Sequence, residues 1–123
     1  MLGIRAICAA GIFSVLVSGA SVAGDVEIVD AKAKDGAGGW TFSVTLKHGD
    51  TGWDHYADLW EVYTPDGDLL GRRVLAHPHV NEQPFTRSLS GVQIPDGVTT
   101  VIIRARDSVH GVSPQELEID LNR

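Results

Sequence analysis

Beyond Ala23 the chain is a succession of short runs in which apolar and polar residues alternate or β-branched residues cluster. Gly, Asp and Pro punctuate these runs at short intervals. None of the runs holds an apolar period of 3.6 for three turns, so strands are expected throughout and helices nowhere. The expected strands cover 26–33, 40–47, 56–63, 69–76, 85–92, 99–107 and 116–121. Between them lie segments built from turn-forming residues, among them Asp35-Gly36-Ala37-Gly38-Gly39, Thr64-Pro65-Asp66-Gly67, Pro95-Asp96-Gly97 and His110-Gly111-Val112-Ser113-Pro114. Seven short strands in roughly 100 residues predict an all-β fold: a single immunoglobulin-like or fibronectin type III-like β-sandwich. No repeat, linker or low-complexity tract marks a second domain.

Trp40, Phe42, Trp60 and Phe85 are expected in the core, with Trp60 between the two sheets. Trp53 stands apart, in a loop beside Asp54 and His55. Pro65-Asp66-Gly67 suits a type I turn between the third and fourth strands. Two registers of that hairpin are open. One places His55 opposite His77; a register one residue tighter places it opposite Pro78, with Asp54 facing His79. The tighter register also pairs Glu61 with Arg72 and Leu59 with Val74, which cross-strand energetics favour.

All five histidines fall near turns. In an up-and-down sandwich the loop before strand three, the end of strand four and the loop after strand six emerge at one pole. His48 and His55 flank the first, His77 and His79 mark the second, and His110 lies in the third. Neutral imidazole is a strong ligand for Zn(II), Cu(II) and Ni(II). His55, His77, His79 and His110 are therefore the candidate metal ligands, with copper or zinc as the expected ion and Asp54 or Glu82 available to complete the shell. Three histidines with an open fourth position would serve a carrier or a catalytic zinc equally, so this pattern leaves enzyme activity undecided, with a non-enzymatic binding protein favoured. The alternative is a module that docks another envelope protein through the same loops, using Trp53, Asp54, Tyr56, Glu82 and Phe85 as its contact surface.

Residues 1–23 read as a signal peptide: Arg5, an apolar run over 6–17, and the small-x-small sequence Ser21-Val22-Ala23 ahead of a mature domain over 24–123. A periplasmic or secreted protein with no membrane insertion after cleavage is the expectation. Cys8 lies within that leader, too early in the apolar run for a lipid-attachment cysteine. The mature chain would then hold no cysteine, which removes disulfide scaffolds and thiolate-ligated metal sites. Met1 is the sole methionine, which disfavours a methionine-rich copper(I) carrier. The whole chain carries a formal charge of −6, and no run of Lys or Arg forms a stripe, so nucleic acid is a poor partner.

Other constellations carry less. Asp66-Gly67-Asp68 has a sufficient explanation in its turn and is too short for a calcium cage. Asp107, Ser108 and His110 have the residue types of a hydrolase triad but lie too close together along one strand end to stack in line. Arg72, Arg73, Arg87, Arg104 and Arg106 suit a solvated, ion-paired sheet face. The segment from Asn81 to Leu89 is dense in side chains that can cap its own backbone or present a recognition surface.

The strings Gly52-Trp53-Asp54-His55-Tyr56-Ala57-Asp58, His77-Pro78-His79-Val80, Gln83-Pro84-Phe85-Thr86-Arg87-Ser88-Leu89 and Ile103-Arg104-Ala105-Arg106-Asp107-Ser108-Val109-His110-Gly111 resemble a family of small exported bacterial proteins without an assigned function. The resemblance spans most of the chain beyond the leader. It implies secretion and a small β-domain, and transfers no activity. The copper–zinc superoxide dismutases share a sandwich and a His-x-His element, but their disulfide cysteines have no counterpart here.

Overall fold

A computed structural model describes residues 24–123; the expected signal peptide lies outside the described residues. Seven strands follow in order: β1 (Glu27–Gly36), β2 (Gly39–Lys47), β3 (Ala57–Tyr63), β4 (Leu69–Val74), β5 (Phe85–Val92), β6 (Thr100–Asp107) and β7 (Gly111–Asp120). They form two antiparallel sheets, one ordered β1-β2-β5 and the other β4-β3-β6-β7. The fold is an all-β sandwich. Among the described residues no helix is long and apolar enough to cross a membrane.

The core lies between the sheets and follows the pleat, because successive residues of a strand face opposite sides. In β2, Trp40, Phe42, Val44 and Leu46 are buried; in β6, Val101, Ile103 and Ala105 are. Trp60 and Val62 of β3, with Val26, Ile28, Phe85, Val92 and Leu121, complete the packing. Trp60 is fully buried, as expected of the residue between the sheets.

The β3–β4 hairpin takes the tighter of the two open registers, with Leu59 opposite Val74 and Glu61 opposite Arg72. Arg72 donates to Glu61 Oε2 from Nε at 2.7 Å and from Nη2 at 2.6 Å, a two-pronged pairing on a fixed fork. The turn is closed by Gly67 N donating to Thr64 O, with Gly67 at φ 96°, a backbone state that glycine adopts without a Cβ penalty.

Several strand limits differ from expectation, and β1 runs on to Gly36 rather than ending at residue 33. β4 ends at Val74 rather than at residue 76, after which the chain is held to β3 by Leu75 N donating to Asp58 O. β7 begins at Gly111 rather than at 116. Gly111, at φ 78°, and Pro114 read as loop residues in sequence, yet β7 lies at a sheet edge, where a missing proline N–H is tolerated.

Candidate metal centre

Three strands feed polar side chains to one end of the core by continuing their inward-facing stripes. In β6 the stripe Val101, Ile103, Ala105 runs on to Asp107, which is 0% exposed. In β2 the stripe ending at Leu46 runs on, two residues later, to His48, which is 4% exposed. β3 needs a correction in its pleat: Ala57 and Trp60 are both buried although strict alternation would put them on opposite faces. A bulge between Ala57 and Leu59 in the pairing with β6 supplies it. Ala57 then pairs with Asp107, and His55, two residues before Ala57, turns toward the same end.

His48, His55 and Asp107 form a group whose ligand-competent atoms all lie within 4.8 Å of one another. Asp107 Oδ1 is 3.4 Å from His55 Nε2, and Oδ2 is 3.7 Å from His48 Nε2. Ligands about 2.1 Å from a tetrahedral ion stand ~3.4 Å apart, so these separations match a shared ion. The His48 and His55 rings meet edge to face with centroids 4.8 Å apart, and the His55 and His110 rings are 4.9 Å apart. A second group, Asp25, Asp107 and His110, shares Asp107 with the first.

His48 Nδ1 donates to Asp50 Oδ1 at 2.5 Å, which leaves Nε2 as the nitrogen turned to the other partners. That Nε2 faces only oxygens, Gly24 O at 3.0 Å and Asp107 Oδ2. Such a cluster of acceptors calls for positive charge among them, either a second proton on the ring or a metal ion. His55 Nε2 is buried and has no hydrogen-bond partner. Among the described residues, the ion pairs of Asp50 and Asp107 involve imidazoles alone, with no Lys or Arg. Burial pushes the Asp107 carboxyl upward, but the backbone N–H groups of His110 and Val109 and the His110 imidazole outweigh it and hold Asp107 below the usual carboxylate value. The carboxylate is thus kept ionised and available.

The four histidines expected to act together are divided. His55 and His110 lie at Asp107, whereas neither ligand group contains His77 or His79. His79 stacks on Phe85 with centroids 3.9 Å apart and sits 4.6 Å from the His77 ring. Its Nε2 accepts from Arg87 at 3.0 Å, so a guanidinium occupies that nitrogen, while Nδ1 is buried without a hydrogen-bond partner. Burial, then Arg87 and His77, lower the His79 pKa from 6.5, so the ring is neutral. His77 is exposed and its Nδ1 donates to Pro78 O at 2.9 Å. The two histidine groups meet instead through Asp50: Oδ1 takes His48 Nδ1 and Ala57 N, and Oδ2 takes His79 N at 2.7 Å.

The proposed contact residues are also divided. Trp53, 67% exposed, packs edge-on against Tyr56 at 5.6 Å, and Asp54 and Glu82 are exposed, Glu82 pairing with Arg87. Phe85 is buried beneath His79 and presents no surface. Residues that sequence reasoning left outside the candidate set, His48, Asp50, Asp107 and Asp25, lie in or beside these groups. The signal for two of them was available: His48 and Asp107 stand two residues beyond the last apolar position of an alternating strand.

Fold and donor set together define a β-sandwich with a two-histidine, one-carboxylate pole. The chain is 43% identical over 97 residues to a protein of Halomicrobium mukohataei named "Putative lipoprotein"; the match covers 78% of this chain and 47% of that protein. The chain therefore spans about half the length of the curated relative it matches. No family model matches the chain, and no solved structure matches it.

Proposed function

We propose that this chain is an exported, immunoglobulin-like β-sandwich that binds one divalent transition-metal ion through His48 Nε2, His55 Nε2 and Asp107, with His110 at the rim of the site. The observation that carries the reading is the His48 relay: a buried carboxylate fixes Nδ1 as donor and aims Nε2 at a second buried carboxylate. Metal-bound histidines are supported in this way, by a carboxylate on the far ring nitrogen. Two imidazoles and one carboxylate without sulfur suit Zn(II), Fe(II) or Cu(II) and not Cu(I). Export and an envelope location, periplasmic or secreted, rest on the leader pattern and on the lipoprotein name of the relative. Titration of the exported chain with Zn(II), Fe(II) and Cu(II), repeated on His55→Ala, tests the assignment. One-to-one binding that the variant loses supports it, and binding that the variant retains refutes it.

A second reading draws on Trp53. An indole 67% exposed beside the metal pole is the kind of aromatic anchor that protein interfaces use, and Tyr56 braces it. The partner would be another envelope protein. Pull-down from envelope extracts that Trp53→Ala abolishes, with metal affinity unchanged, would support this reading.

A further inference from the structure

We propose that removal of the leader after Ala23 makes Gly24 a ligand, its new α-amino nitrogen joining His48, His55 and Asp107 around the ion. The inference rests on the metal reading above and adds a donor to it. Three observations place the start of the domain inside the site. Gly24 O lies 3.0 Å from His48 Nε2, the atom assigned to the metal. A Cβ on Gly24 would lie 2.5 Å from His110 Cε1 and 2.9 Å from His110 Nε2, so the backbone of Gly24 is packed directly on that imidazole. Asp25, the next residue, shares a ligand group with Asp107 and His110. The small-x-small pattern Ser21-Val22-Ala23 ends at the bond that joins this residue to the leader.

The chemistry follows from what hydrolysis does to that bond. Water adds across Ala23–Gly24; the carboxylate departs with the leader and the amine stays on Gly24. While the bond is intact, its nitrogen lone pair is delocalised into the amide and is a poor donor. Once free, it belongs to an amine whose lone pair is localised on nitrogen and can be given to a metal ion. Nitrogen and carbonyl oxygen of one residue, closed by a cation, make a five-membered chelate ring. Glycine suits this position before and after hydrolysis, since a Cβ here would lie 2.5 Å from the His110 ring. The consequence is a site whose full affinity appears only after export: the precursor lacks one nitrogen donor that the processed chain has.

The test compares three proteins in Zn(II) competition titrations and in Cu(II) electron paramagnetic resonance. They are the exported chain with its first residue confirmed by mass spectrometry, the same chain with Ser-Ala added ahead of Gly24, and His48→Ala in the exported chain. Urea unfolding controls for the fold of each. The expected result is a first residue of Gly24, an affinity at least about ten-fold weaker in the extended chain, the scale on which a supporting group acts, and loss of one nitrogen coupling from its copper spectrum. An extended chain with parent affinity and spectrum, or an exported chain that begins elsewhere, would overturn the inference while leaving the metal site standing. Parent affinity in His48→Ala would instead remove the metal reading itself.

Discussion

Asp50→Asn separates the two tasks of the Asp50 carboxylate. In the parent, Oδ1 accepts from His48 Nδ1 and Ala57 N, and Oδ2 accepts from His79 N. Asparagine offers one acceptor oxygen and one NH2 group, so it cannot satisfy all three donors. If its oxygen serves His79 N, the NH2 faces the buried Ala57 N–H, which goes unpaired, and His48 Nδ1, which must then become an acceptor. The imidazole proton moves to Nε2, and the metal lone pair is lost. If the oxygen serves His48 and Ala57, the NH2 faces the His79 N–H and a buried donor goes unpaired, at a cost of about 1–3 kcal/mol. Supporting groups of this kind typically change metal affinity ~10–100-fold, which is about 1.4–2.8 kcal/mol. Zn(II) competition and urea unfolding of the metal-free protein read the two effects. A variant that matches the parent in both affinity and unfolding midpoint would refute the relay.

Phe42→Ala, which empties a fully buried site, is expected to destabilise the fold by about 3–5 kcal/mol in urea unfolding. Gly71→Ala places a Cβ 2.9 Å from Leu89 Cδ2 and should cost about 1–3 kcal/mol, partly recovered when Leu89 is shortened to Ala in the same chain. On acidification two depressed groups act in sequence. Protonation of His79 is disfavoured in the folded state, so stability is full above about 6.5 and falls as pH drops toward the lower folded value; this stage should be missing in His79→Gln. Asp107 is also depressed, so its contribution is full above 3.8 and is lost as pH falls through its lower folded value, a stage that His79→Gln leaves in place. Urea midpoints measured across pH 2 to 8, about the range that both groups titrate in, would contradict this if the parent and His79→Gln curves coincide.

The two sheets were legible because apolar alternation and turn residues both repeat along the chain. Glu61 and Arg72 even selected the hairpin register, since opposite charges across a strand pair are favourable and the observed pairing satisfies them. The common pole was legible in outline as well: His48, His55 and His110 do converge. The donor set was not, for reasons that lie in particular residues. The bulge beside Asp58 reverses the facing of the residues before it, and nothing in the periodicity of β3 announces that shift. His77 and His79 were expected among the ligands, but Arg87, eight residues further on, reaches back to His79 Nε2, and Phe85 holds its ring. Asp107 looked like one member of a crowded triad, although it is the last inward position of β6. A strand stripe that ends in His or Asp instead of an aliphatic residue was the signal, and it depends on following each stripe past the end of its strand.

The central claim is that the ion is held by His48, His55 and Asp107, so the most direct measurement is X-ray absorption spectroscopy of the Zn(II)-loaded exported chain beside His55→Ala and His77→Ala. The account predicts a first shell of imidazole nitrogen and carboxylate oxygen at about 2.0–2.2 Å, one imidazole fewer in His55→Ala, and an unchanged shell in His77→Ala. Loss of an imidazole in His77→Ala together with an unaltered shell in His55→Ala would contradict it.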